Sequence, residues 1–110
     1  MGRVALGEFE LLVLLACLRL GADEAYAVSI VDEIRGRTGR DIHRAAVYVT
    51  LQRLERKALI TTRLGPPLPE RGGKARRLVQ VERAGREAVR GARHALQQMW
   101  VGLGPRLEER

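Results

Sequence analysis

Ile42-His43-Arg44-Ala45-Ala46-Val47-Tyr48-Val49-Thr50-Leu51-Gln52-Arg53-Leu54-Glu55-Arg56-Lys57-Ala58-Leu59-Ile60 is the stretch on which the fold turns. Val47, Leu51, Leu54 and Ala58 recur at intervals of four, three and four, so they share one stripe of a helix. The opposite face carries Arg44, Val49, Gln52, Arg53 and Arg56, which is basic and rich in hydrogen-bond donors. A β-branched run, Leu59–Leu64, follows directly; then come a basic Pro/Gly stretch and a second β-like run, Arg76–Val81. A helix apolar on one side and basic on the other, with a basic hairpin behind it, predicts a winged helix-turn-helix able to enter a DNA groove.

Upstream, Ala25–Thr38 reads as a helix with Val28, Ile30, Val31 and Ile34 inward and Asp32, Glu33, Arg35 and Arg37 outward. Asp23 or Glu24 can cap its start, and Gly39 stands where a left-handed C′ residue belongs. Arg40-Asp41-Ile42 is then a short turn, with Ile42 available to plug the corner between two helices. Leu6–Leu20 is apolar nearly all the way round, so that helix must be covered on more than one side, in part by another subunit.

Downstream, three prolines and three glycines between Gly65 and Ala75 predict a loop, the tip of the wing. From Arg83 to about Leu103 a helical period returns, and Gly104-Pro105 stops it. Its apolar face, with Ala88, Val89, Ala92, Leu96, Met99, Trp100 and Leu103, has nothing of its own to cover and is expected to dimerise. The expected fold class is mostly α (α+β). A winged-helix domain occupies 1–82, and a C-terminal dimerisation helix with its tail occupies 83–110.

Charge supports a polyanionic partner. Between Arg35 and Arg77 there are twelve basic residues against three acidic ones, while the rest of the chain has eight against ten. Such concentration favours double-stranded DNA over a generally basic surface. Cys17 is the one cysteine, so no disulfide forms within the chain; it is expected in the core, with a redox-sensing thiol as the other reading. The apolar run Leu11–Leu18 is too short to span a bilayer, and a cytoplasmic protein without membrane contact is expected. No enzyme, metal or cofactor is expected. His43 and His94 are far apart without a ligand cluster, Ser29 is the one serine, and Gly72-Gly73-Lys74 lacks the rest of a phosphate loop.

Several segments resemble the PadR-like family of bacterial transcriptional regulators. They are Gly7-Glu8-Phe9-Glu10 with the leucines after it, Glu24-Ala25-Tyr26-Ala27-Val28, Ala46-Val47-Tyr48-Val49-Thr50-Leu51-Gln52-Arg53-Leu54-Glu55, Glu70-Arg71-Gly72-Gly73-Lys74-Ala75-Arg76, and Ala84-Gly85-Arg86. The chain is similar to the short subgroup with a single C-terminal helix. The resemblance implies a winged-helix homodimer joined mainly through that helix, usually a repressor and often relieved by a small molecule. Four places depart from the family pattern: Ala27 and Ala58 stand where glycine is usual, Leu78 where tyrosine is frequent, and Glu82-Arg83 where Thr-Pro is usual. The Ala58 substitution leads one to expect a less sharply capped recognition helix.

Arg44, in the first helical turn, can take the O6 and N7 of a guanine or a phosphate. Gln52 is the one amide in this helix and can read adenine or, two turns in, touch only a phosphate, while Ala45 and Val49 can meet thymine methyls. The resemblance puts the Tyr48 hydroxyl on the DNA backbone; its ring can equally wedge between helices. Arg53 and Arg40 are phosphate candidates, and Arg71, Lys74, Arg76 and Arg77 are the wing's. The family also suggests a small aromatic effector stacked on Trp100 between subunits, with Met99, Leu96, Phe9 and Leu12 lining the space; simple interface packing by Trp100 is the other reading. A winged-helix module acting architecturally on nucleic acid, or binding protein, without ligand control is the alternative function.

Overall fold

The computed structural model describes residues 5–67, 72 and 75–109. Its elements follow in the order α1 (Glu8–Leu20), α2 (Ala27–Thr38), α3 (Arg44–Arg56), β1 (Ile60–Pro67), β2 (Ala75–Val81), α4 (Arg83–Trp100) and a single turn α5 (Gly104–Leu107). Helices α1, α2 and α3 pack on one another around a common core, and the antiparallel β1–β2 ribbon closes its open side. Val13, Leu14, Ile30, Val47, Leu54, Leu59, Ile60 and Val79 are essentially removed from solvent. Each large aliphatic side chain so buried contributes about 1.5–3 kcal/mol. This is the mostly helical winged helix-turn-helix expected.

The turn between α2 and α3 has three supports. Gly39 adopts φ 69° and donates its N–H to Arg35 O, ending α2 in the left-handed conformation that glycine tolerates. The Arg35 guanidinium reaches across the turn and donates twice to the Ile42 carbonyl, at 2.6 and 3.0 Å. Ile42 packs against the core as the corner plug. The start of α2 differs from expectation: neither Asp23 nor Glu24 caps it. Tyr26 is the N-cap, and Ser29 Oγ accepts its N–H at 3.0 Å while donating to Glu24 O at 2.7 Å.

The recognition helix is shorter than the apolar spacing suggested. It ends at Arg56, and Ala58 lies outside it, exposed, at φ 60°. The Ala58 N–H bonds Glu55 O and the Leu59 N–H bonds Leu54 O, the two bonds of a Schellman stop. The cap is therefore as sharp as a glycine would make it, at the cost of a strained alanine. Thr50, not Ala58, completes the buried stripe.

The wing also departs from expectation at its base. The Gly65-Pro66-Pro67 stretch belongs to β1 rather than to the loop, pairing as far as Pro67 with Ala75 across an irregularity after Leu64. Proline is tolerated because β1 has a neighbour on one side only and the ladder is broken where the prolines stand. Leu78 points inward, fully buried over Gly65, where a Cβ would fall 2.6 Å from Leu78 Cδ1.

Helix α4 begins at Arg83 without a side-chain cap, and Glu82 instead accepts from the Thr61 hydroxyl at 2.9 Å. Gly85 is buried against the Leu59 carbonyl and Val81, so closely that no Cβ fits. Ala88 and Val89 pack on the core of their own domain, whereas the helix was expected to cover nothing of its own. It breaks at Val101-Gly102, before the Gly104-Pro105 stop expected from sequence; that pair opens α5 instead, proline serving the first turn.

An ion pair at the edge of this core ties α1 to the end of α3. Glu10 of α1 is buried; its Oε1 accepts the Gly7 N–H at 2.9 Å and its Oε2 accepts Lys57 Nζ at 2.8 Å. Burial works to raise the Glu10 pKa. The hydrogen bonds from Lys57 and Gly7, with the charges of Lys57 and Arg53, outweigh it and hold the carboxyl below its ordinary value.

Two stability predictions follow from these geometries. Ala58→Gly removes the left-handed strain, worth about 1–2 kcal/mol, against an entropic cost of about 0.5–1 kcal/mol, so the urea midpoint should rise modestly. An unchanged or lower midpoint would show that no strain is held there. A carboxyl whose folded pKa is depressed stabilises the fold fully above its unfolded pKa of about 4.3 and loses that contribution as pH falls through the folded value. Urea unfolding from neutral pH to below the carboxylate range should thus show a steeper acid decline for the wild type than for Glu10→Gln; parallel curves would refute the linkage.

Candidate nucleic-acid interface

Helix α3 projects one face out of the domain, with Ala45, Val49, Gln52 and Arg56 along its centre and Arg44, Tyr48 and Arg53 on its flanks. All seven are exposed, including Val49 at 52%. His43 is the N-cap, and its side chain makes no capping bond. Arg44 is therefore the first cation that a groove approached by the N-terminal end of α3 would meet. Neither Arg44 nor Arg56 makes an ion pair among the described residues.

The wing meets this helix across a cleft of about 240 Å³. Tyr48, Gln52 and Glu55 of α3 line one side; Thr62, Arg77 and Val79 of the ribbon line the other, and Tyr26 closes an end. Arg77 donates to Thr62 Oγ1 at 3.1 Å, and the Thr62 hydroxyl donates to Glu55 Oε2 at 3.1 Å. The structure thus brings Tyr48, Gln52 and Arg77, three residues proposed from sequence, to one place. It engages others internally. Arg40 binds Glu8 through two hydrogen bonds of 2.8 and 3.1 Å. The Arg76 guanidinium lies 5.5 Å from the Tyr26 ring centroid, half-buried. Arg71 and Lys74 lie outside the described residues.

The residues proposed around an effector divide. Phe9 and Leu12 are half-buried against their own core. Leu96, Met99, Trp100 and Leu103 are exposed, Met99 at 79% and Trp100 at 56%. Ala92 is half-buried between these two regions. A separate groove of about 790 Å³ runs between Ala5-Leu6 and the Ala84–Ala95 part of α4, and none of Phe9, Leu12, Leu96, Met99 or Trp100 lines it.

Sequence reasoning missed the Tyr26 stack and the Glu10–Lys57 pair. Nothing local marks Tyr26, whose partner lies far along the chain. Glu10 did carry a signal: a carboxylate inside an all-round apolar helix requires a cation. Among the described residues no helix is long and apolar enough to cross a membrane, and no His, Cys, Asp and Glu cluster could hold a metal ion.

Residues 14–91 match the model of the transcriptional regulator PadR-like family. No curated protein sequence matches the chain. Among solved structures, a PadR family transcription regulator from hypervirulent Clostridium difficile superposes with TM-score 0.72 at 18% identity, covering 92% of this chain and 99% of that one. A PadR family transcriptional regulator from Eggerthella lenta gives TM-score 0.69 at 23% identity, with 90% and 83% covered. A Bordetella bronchiseptica protein, described as regulated in its DNA binding by 6-hydroxynicotinic acid, gives TM-score 0.64 at 23% identity, with 96% and 73% covered. The chain belongs to the PadR-like family: it is a DNA-binding transcriptional regulator, and this family is not one of enzymes.

The buried Cys17 bears on regulation by oxidation. Burial pushes its thiol up to about 12, so almost no thiolate exists near neutral pH. Iodoacetamide should leave Cys17 unmodified in the folded protein and alkylate it fully in urea, as read by intact-mass spectrometry. Rapid modification of the folded chain would restore the redox-sensing reading.

Proposed function

We propose that the protein is a homodimeric repressor that reads an inverted-repeat operator with α3 and the wing, and that a small aromatic ligand releases it. The observation that carries this reading is the outward face of α3, where Arg44 and Arg56, without an ion pair among the described residues, accompany Ala45, Val49 and Gln52 beside the Arg77 edge of the ribbon. In this reading Arg44 and Gln52 contact base edges, Tyr48 and Arg53 contact the backbone, and the wing contacts adjacent phosphates. The exposed apolar end of α4 supports the dimer: Leu96, Met99, Trp100 and Leu103 form a patch that water disfavours and a second copy would cover. The control of the Bordetella protein by a small aromatic acid supports an effector of that class, with Trp100 as the flat surface on which it would stack.

A footprint on DNA upstream of its own gene, at physiological salt with competitor, tests the proposal. A protected inverted repeat is expected, with half-sites about 34 Å apart or a multiple of it. Arg44→Ala should weaken operator binding by about 1–3 kcal/mol and relax preference at one position. Neutralising some six to ten phosphates implies a loss of about 10³–10⁵ in affinity between 50 and 200 mM salt. Salt-dependent binding without discrete protection there would leave two options, an operator elsewhere or an architectural binder with little sequence preference. Quenching of Trp100 fluorescence by hydroxylated aromatic acids, with release of the operator, tests the effector.

A further inference from the structure

Two carboxylates of α1 hold the recognition helix at both its ends. Glu8 engages Arg40, which lies in the turn leading to α3, at 2.8 and 3.1 Å. Glu10 engages Lys57, the residue that caps the other end of α3, at 2.8 Å. The second oxygen of Glu10 takes the Gly7 N–H, so the carboxylate cannot turn away without opening the start of α1. A protein that binds a polyanion normally gains by shedding acidic side chains near its contact surface. Here two of them stand beside the recognition helix, each spent on a cation that would otherwise be free to meet a phosphate.

We propose that Glu8 and Glu10 are positioning residues for DNA reading: they fix the pitch at which α3 leaves the domain and thereby set operator discrimination. The proposal rests on the operator-reading function above. An exposed pair such as Glu8–Arg40 contributes little alone. Glu10–Lys57, with the glutamate side chain 7% exposed and the lysine side chain 33%, is the stiffer of the two. Removing either carboxylate also removes a negative charge, so charge alone and positioning predict opposite signs.

The test uses the full chain and two duplexes of equal length: an inverted repeat selected by the wild type from a randomised library, and a scrambled sequence. Affinities are measured at a temperature where circular dichroism shows every variant folded. Glu10→Gln should bind the selected repeat about 3–30-fold more weakly, and Glu8→Gln about 2–5-fold more weakly, with the scrambled duplex bound equally or more tightly. Lys57→Arg should keep the wild-type ratio between the duplexes, whereas Lys57→Met should lose it. Glu8→Gln, being on the surface, keeps the question answerable if Glu10→Gln does not fold. Equal or tighter binding of both duplexes by the two glutamine variants overturns the positioning role while leaving the regulator reading intact. A wild type that shows no preference between the duplexes overturns both.

Discussion

Three parts of this molecule are referenced to the backbone of one residue, Leu59. Its N–H closes α3 onto Leu54 O, its carbonyl accepts the Glu82 N–H just before α4, and Gly85 lies so close to that carbonyl that only hydrogen fits. Its side chain is fully buried, which anchors the junction to the core. The end of the recognition helix, the first residue before the wing and the first turn of α4 therefore cannot move independently. Ala58 bears the conformational cost of this arrangement, because the stop that aims Leu59 inward demands a left-handed residue. Tertiary packing of Leu59 overrides the preference of alanine, as a buried leucine worth a few kcal/mol can.

The charge asymmetry visible in composition becomes more selective in the structure. Arg35, Arg37, Arg40, Lys57 and Arg63 all face carboxylates, and Arg77 donates to a hydroxyl. The net excess along Arg35–Arg77 is thus not a uniform field. Among the described residues, Arg44 and Arg56 of α3 have no carboxylate partner. Exposed pairs are worth under about 1 kcal/mol, so a phosphate could compete for Arg63 or Arg37. Lys57 is different: releasing it would leave a buried carboxylate behind.

Period and punctuation made most of the fold legible. The stripe of Val47, Leu51 and Leu54, the Gly39 stop and the two β-branched runs each carry local physics strong enough to read without a partner. What escaped depends on contacts made across the chain. Ala58 fits the helical period, yet the junction at Leu59 ends the helix before it. Pro66 and Pro67 read as loop because a strand interior rejects proline, but an unpaired edge does not. Of the site, Tyr48, Gln52 and Arg77 were legible as types in a pattern. Arg76 was legible as a cation but not as one lying over Tyr26, since stacking requires knowing which strand residue faces α2.

Helix α4 shows why an amphipathic pattern underdetermines its partner. Its first half presents Ala88 and Val89 to the domain's own core, and its second half presents Leu96, Met99 and Trp100 to solvent. One periodic stripe in the sequence thus serves two surfaces in succession. Small residues suit the first half, where the helix must approach the Leu59 carbonyl and Val81 closely. Large ones suit the second, where the helix has left its own domain and only area removed from water would stabilise it. The division of side-chain size along α4 is therefore a division of labour. The near end fixes the helix to the reading head, and the far end leaves an apolar surface for the second copy that the proposed dimer requires.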